Sequence, residues 1–229
     1  MGVTSALALS WSGGKDSSLA LQALTLEGIE PTALITTVTT RYQRVSMHGV
    51  RRRLVHLQAE ELGLPLVEIP IPPACSNTVY EERVQRALAS SSLAGVEEVA
   101  FGDLFLADIR RYREKLLAAA SKRSVFPLWG RDTTLLAREF VAAGFRAVLT
   151  CIDPKALEPS FAGREFDLDL LADLPAEVDP CGENGEFHTF VYDGPLFKRP
   201  IPVEVGEPLE RDGFVFCDVR AAGSIHSPR

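Results

Sequence analysis

The sequence predicts an α/β protein: an open, doubly wound parallel sheet, followed by a smaller, strand-rich C-terminal lobe. Three observations predict it. Short apolar or β-branched runs alternate with amphipathic segments of about ten residues, as in strand–crossover–strand units. The polar clusters at 12–17, 36–37 and 102–103 each follow a strand-like run, where open α/β sheets bind ligands. Beyond about residue 155 helical stripes become scarce and Pro and Gly become dense.

The elements follow in order. Ala6 to Trp11 is a short apolar run and a first strand. Leu19 to Glu27 carries a helical stripe closed by Gly28, a natural residue after a helix C-cap. Thr32 to Thr37 is a β-branched strand. Met47 to Arg51 begins a helix whose stripe runs from Arg51 to Leu62, closed by Gly63. Leu64 to Ile69 is a third strand, Tyr80 to Ala89 a helix, and Glu97 to Phe101 a fourth strand ending at Gly102-Asp103. Helices over Arg110–Ser121 and Thr133–Ala143 precede a fifth strand, Ala147 to Ile152. Between the later turns lie strand candidates at His188–Tyr192, Ile201–Val205 and Phe214–Val219, and the tail from Ala221 is expected to fray. The expected division is 1–155, a nucleotide-binding domain, and 156–229, a substrate-binding lobe.

Composition limits the function classes. The chain has 229 residues, 46% of them hydrophobic and 24% charged, which is ordinary for a globular fold with a core. Its formal net charge of -7 weighs against non-specific binding of a nucleic-acid backbone. No apolar run is long enough to span a membrane. The apolar start has no basic residue ahead of it, unlike a signal peptide, and Ala6 stands where a Gly2 myristoylation signal needs Ser or Thr. Four widely spaced cysteines form no C-x-x-C pair, so free thiols and a cytoplasmic location are expected.

Ser12-Gly13-Gly14-Lys15-Asp16-Ser17 follows a buried strand and opens a helix. Two glycines permit positive φ and close approach to the backbone. Consecutive N–H groups at a helix N-terminus favour anions, and Ser12, Ser17 and Lys15 add donors and charge. The loop is a phosphate cradle, with neither Walker A nor G-x-G-x-x-G spacing. It resembles the PP-loop of the ATP pyrophosphatase superfamily, S-G-G-x-D-S. The resemblance implies a parallel sheet of the adenine nucleotide α-hydrolase type. It also implies cleavage of ATP between the α- and β-phosphates. Ser12, Gly13, Gly14 and Ser17 would hold the departing phosphates, Lys15 would neutralise them, and Asp16 would position Mg²⁺. The adenine would lie near Ile35, Thr36 and Thr37.

A second cluster, Asp179-Pro180-Cys181-Gly182-Glu183-Asn184-Gly185-Glu186-Phe187-His188-Thr189, crowds carboxylates, an amide, a thiol and an imidazole into one turn-rich stretch. Glu183, Glu186 and His188 can bind a cation or deprotonate an amine; the plain alternative is a solvated Asn184-Gly185 turn. This stretch resembles the second signature, E-G-G-E-x-E/T, of the diphthine–ammonia ligase-like (DUF71) branch of that superfamily. Here Asn184 stands in place of glycine and His188 in place of an acid, a form similar to the bacterial-type variant. Gly102-Asp103-Leu104 with Arg110, Arg113 and Glu114 fits the same branch.

The resemblance implies an ATP-dependent, amide-forming ligase. A small-molecule carboxylate, or a modified protein side chain, is adenylylated with release of pyrophosphate and then transferred to ammonia or an amine. Lys15, Asp16, Glu183, Glu186 and His188 form the expected catalytic set. Gly102 and Asp103 join the nucleotide site, and His48, Arg110, Arg113, Asn184, Gly185 and Thr189 the substrate site. No glutaminase half is visible, so free ammonia, an amine or a partner is the expected donor. Arg110, Arg111 and Arg113 also read as a solvated basic face, and Cys181 as an inert thiol. The rivals are a PP-loop tRNA-modifying enzyme and a non-catalytic ATP/AMP-binding sensor. A homo-oligomer stays open.

Overall fold

The computed structural model describes residues 6–46 and 48–223. Expectations placed on Gly2, on Met47 and on the tail beyond Gly223 lie outside them.

In chain order the first half comprises β1 (Leu7–Ser10), α1 (Lys15–Leu26), β2 (Ala33–Thr39), β3 (Arg44–Val45), α2 (Arg52–Leu62), β4 (Leu66–Ile71), α3 (Asn77–Leu88), β5 (Glu98–Ala100), α4 (Ala107–Ala118) and β6 (Arg123–Val125). Five strands pair in parallel in the order β4-β2-β1-β5-β6, and β3 folds back antiparallel onto the end of β2. Side-chain alternation sorts the two faces. Leu7 and Leu9 of β1 and Leu34 of β2 pack with Leu54, Val55 and Ala59 of α2 on one face. Ala8, Ala33 and Ile35 pack with Val84 and Leu88 of α3 and Leu116 and Leu117 of α4 on the other. The sheet is therefore doubly wound. The strand order reverses between β1 and β5, which places the ligand crevice beyond their carboxyl ends.

The second half comprises α5 (Thr133–Ala142), β7 (Arg146–Ile152), α6 (Leu168–Asp173), β8 (Phe187–Asp193), β9 (Val203–Arg211) and β10 (Phe214–Ala221). Its strands form a separate antiparallel sheet ordered β8-β7-β10-β9. This corrects one expectation. Ala147–Ile152 is not the fifth parallel strand but an inner strand of the second sheet; the fifth parallel strand is the three-residue β6. β7 is buried from Ala147 to Ile152, and a strand covered on both faces reads as a continuous apolar run in either kind of sheet. A second correction concerns His48–Arg51. The helix begins only at Arg52, and His48–Val50 is not helical, with Gly49 at φ 68°.

The two sheets share one core. Leu9, Trp11 and Leu54 from the first half and Leu149, Phe190 and Val215 from the second belong to the same buried cluster. Gln58 of α2 sits in this contact and is fully buried. Its Oε1 accepts from Trp11 Nε1 at 2.9 Å, and its Nε2 donates to the carbonyls of Gly13 at 2.9 Å and Val191 at 2.6 Å. A buried amide with every partner in place holds its neighbours firmly, and the same groups left unpaired are costly. Gln58→Leu, which removes those partners, is expected to cost about 3 kcal/mol. A urea titration comparing midpoints with wild type measures it, and an unchanged midpoint would show that Gln58 holds nothing.

Candidate functional site

The site is built where β1 ends. Ser12 to Gly14 turn out of the strand with Gly13 at φ 82°, and α1 starts at Lys15. No side chain of the loop caps this helix. The cap comes from the second sheet: Lys15 N donates to Thr189 Oγ1 at 3.0 Å. β8 runs beside the loop, and Val191 N donates to the Gly13 carbonyl at 2.9 Å. The glycines serve this contact. A Cβ on Gly13 would lie 2.7 Å from Gln58 Oε1, and one on Gly14 would lie 3.0 Å from the Thr189 carbonyl. The hydroxyls of Ser12 and Ser17 approach to 3.4 Å, and Ser17 also donates to the Gly14 carbonyl.

Lys15 points away from the loop. Its side chain is 2% exposed, and its ammonium donates to both oxygens of Asp16 at 2.9 Å and to the Cys181 carbonyl. Burial pulls its pKa down, but Asp16, Cys181 and Glu183 together outweigh burial and hold it above the ordinary lysine value. The charge thus pins the second loop to the first. Asp16 keeps 32% of its side chain exposed. The turn after β5 closes the other side, because Gly102 lies so near α1 that a Cβ would meet the Asp16 backbone at 2.8 Å.

The two glutamates part company. Glu183 Oε1 accepts from the backbone N–H of Leu104 at 2.7 Å and of Phe105 at 3.4 Å, tying the second loop to the β5 turn. Burial raises its pKa to about 7 against the lowering effect of those N–H groups. Glu186 turns into its own loop, where Oε1 accepts from Asp179 N and Asn184 Nδ2, each at 3.0 Å. Its Oε2 is buried with no hydrogen-bond partner. Asn184 is exposed, and Gly185 takes φ 89° at the turn. Cys181 Sγ donates to the Thr133 carbonyl, and burial pushes its thiol up to about 12, which leaves it unreactive at neutral pH.

His48, ahead of α2, meets His188 of β8 with ring centroids 4.4 Å apart. Burial, then Lys15, lowers His188 to about 4; burial, then His188, Lys15 and Arg113, lowers His48 well below the ordinary value. Both imidazoles are neutral at pH 7. His48 Nδ1 and Thr36 Oγ1 are buried without partners, as Glu186 Oε2 is. Thr36, flanked by Ile35 and Thr37 in the middle of β2 and one residue beyond the level at which β1 ends, lies on the sheet face that carries α1 and α2. Orphaned polar atoms of this kind suit a ligand that supplies the missing hydrogen bonds.

The arginines divide as well. Arg113 Nε donates to Asp103 Oδ2 at 3.0 Å and its guanidinium lies over Phe101, so this pair braces the β5 turn. Arg110 stacks on Phe126 and Trp129 and pairs with Glu114 at the surface, and Asp108 and Arg111 are exposed. Among the described residues no group of three or more His, Cys, Asp or Glu is placed to hold a metal. A phosphate-borne Mg²⁺ needs fewer protein ligands than that, and the exposed part of Asp16 suits one.

Sequence reading passed over two organising residues. Gln58 was visible only as a polar residue on the apolar stripe of its helix. Asp179 accepts from Cys181 N, Glu183 N and Thr133 Oγ1, and so shapes the second loop.

Two outcomes test this geometry. Lys15→Met removes the buried partner of Asp16, which stays 32% exposed, and is expected to lower stability by about 1–3 kcal/mol, read from the midpoint of a urea titration. Glu183 holds its proton in the folded state up to about pH 7, whereas a free glutamate loses it near its model value of 4.5. Stability contributed by Glu183 therefore falls as pH rises between those values. Glu183→Gln should flatten the decline of Tm across that window; an unaltered slope would place the raised proton affinity elsewhere.

Known proteins were compared with the chain. Residues 5–121 match the family model described as Diphthamide synthase N-terminal domain, and residues 132–224 match its Diphthamide synthase C-terminal domain. The diphthine–ammonia ligase of Danio rerio is 28% identical over 232 residues, covering 91% of this chain and 90% of the relative. That of Rattus norvegicus is 27% identical, covering 91% and 86%. Among solved structures, a "predicted subunit of tRNA methyltransferase" from Methanocaldococcus jannaschii is 19% identical with a TM-score of 0.39, covering 64% of this chain and 79% of that one. The two family models together span nearly the whole chain, and the chain belongs to the diphthamide synthase family.

Proposed function

We propose that the chain is an ATP-dependent carbon–nitrogen ligase of the PP-loop type, forming AMP and pyrophosphate. The observation that carries this reading is the N-terminus of α1 at the sheet's switch point, with Ser12, Gly13 and Gly14 before it and Ser17 in its first turn. An anion is favoured there by the helix dipole and the N–H groups of the first turn. The diphthine–ammonia ligase relatives support the reaction class.

In this reading ATP occupies residues of the first 155, with its adenine toward Ile35, Thr36 and Thr37, and the acceptor lies against 156–229. Asp16 would hold Mg²⁺, which neutralises the leaving pyrophosphate. An acceptor carboxylate oxygen attacks the α-phosphorus, and the bond to the β-phosphate oxygen breaks. Ammonia then attacks the acyl carbon and AMP leaves. Glu183, with a pKa of about 7, is the group suited to take the proton from ammonium, and the neutral His48–His188 pair would orient the nucleophile by hydrogen bonding. Asn184, Gly185 and Thr189 shape the acceptor side; Arg110 and Arg113 act by bracing the wall. A cytoplasmic setting belongs to this reading.

The test is product analysis with ATP, Mg²⁺, ammonia and a panel of carboxylic acids. Pyrophosphate and AMP are expected, and Asp16→Asn should slow their release by about a hundredfold or more. ADP and orthophosphate would sink the mechanism. Nucleotide binding without turnover on any acceptor would favour a sensor. The rate should climb through about pH 7 in wild type, and Glu183→Gln should remove that limb.

A further inference from the structure

A groove of about 480 Å³ lies on α2 and the β2–β3 hairpin, outside the site described above. Its lining includes Tyr42, Arg44, Arg51, Arg52, Arg53 and His56. Guanidinium groups here outnumber carboxylates. Asp218 of β10 receives three of them: Arg51 through two bonds of 2.8 and 2.7 Å, Arg44 at 2.8 Å and Arg220 at 2.9 Å. Arg52 binds Glu68 through two bonds, and His56 contacts the same carboxylate at 2.8 Å. Arg53 is 66% exposed and reaches Glu60 only at 3.5 Å. Five guanidinium groups thus face three carboxylates, an excess of two positive charges in a chain whose net charge is -7.

The positive charge collects at a helix start. Arg51, Arg52 and Arg53 open α2, where the helix dipole already presents positive charge, and the first turn has neither an acidic residue nor a side-chain cap. Asp218 and Glu68 hold Arg44, Arg51 and Arg52 in set orientations. A guanidinium has five donors, so each keeps N–H groups beyond those its carboxylate uses. Such an array matches the oxygens of a tetrahedral dianion.

We propose that this groove is a second anion site, which binds the phosphate group of a small phosphorylated molecule. Its volume suits a small ligand. The acidic balance of the chain disfavours a long polyanion. The groove also flanks the loop that carries His48, since Arg44 precedes that loop and Arg51 follows it. A phosphate held in the groove would thus belong to the part of an acceptor that reaches from the 156–229 side past Asp218 onto α2; that assignment rests on the ligase reading, whereas the binding does not.

Amide NMR of the full chain, titrated with inorganic phosphate, tests the site. Saturable shifts are expected at Arg51 to His56, weakened about tenfold or more in Arg53→Glu. The exposed side chain at this position should leave Tm unchanged. Shifts confined to Gly13–Ser17, or groove shifts reproduced by chloride at equal ionic strength, would overturn the proposal. So would phosphate binding unaltered in Arg53→Glu. A short single-stranded RNA that binds the groove more than about tenfold tighter than glycerol phosphate would overturn the small-molecule assignment. Absent pyrophosphate release with an occupied groove removes only the ligase reading; an unbound groove with normal release removes only this one.

Discussion

The contact between the Ser12–Lys15 loop and β8 sets the spacing of everything else. It joins one backbone bond, the Val191 N–H on the Gly13 carbonyl, to two side-chain bridges: the Lys15 N–H on the Thr189 hydroxyl, and the Gln58 amide on the Gly13 and Val191 carbonyls. The two glycines leave the room this needs, since a Cβ would meet the Gln58 amide at Gly13 and the Thr189 carbonyl at Gly14. The loop that reads as a ligand cradle is thus also a joint between sheets. A substitution there alters the fold and the site together.

Electrostatics add direction to the joint. Lys15, paired with Asp16 beside it, carries a buried positive charge across the seam to the Cys181 carbonyl, and Glu183 closes the circuit onto the β5 turn. Desolvation has opposite consequences for the groups around it. It raises the Glu183 carboxyl into the neutral range and lowers the two imidazoles out of it. The site therefore combines a lysine that stays charged, histidines that stay neutral and one carboxylate that titrates near physiological pH. That division follows from burial at a seam between two sheets, not from residue type.

Much of this was legible in the chain. The alternation of strands and helices, the glycines ending helices, and the two polar clusters are local patterns, and they survive into the structure because propensity and burial agree there. The failures were equally physical. Ala147–Ile152 is covered on both faces, and periodicity cannot tell which sheet covers it. β6 has three residues, too few to display a period. Glu183 and Glu186 look equivalent three positions apart, yet a turn at Gly185 sends one carboxylate to the β5 turn and the other into its own loop.

By itself the sequence determined the class of the fold, the place of the glycine-rich loop after β1, and the family to which the chain belongs, because each rests on spacing within a few neighbouring residues. Only the tertiary structure decided what those residues face. Lys15 became a buried tether, Thr189 a helix cap, Gln58 a bridge of three segments, and two stretches, 42–44 and 51–56, became one basic groove. Such roles depend on long-range contacts and on how much water each group loses, and neither quantity is written in local order along the chain.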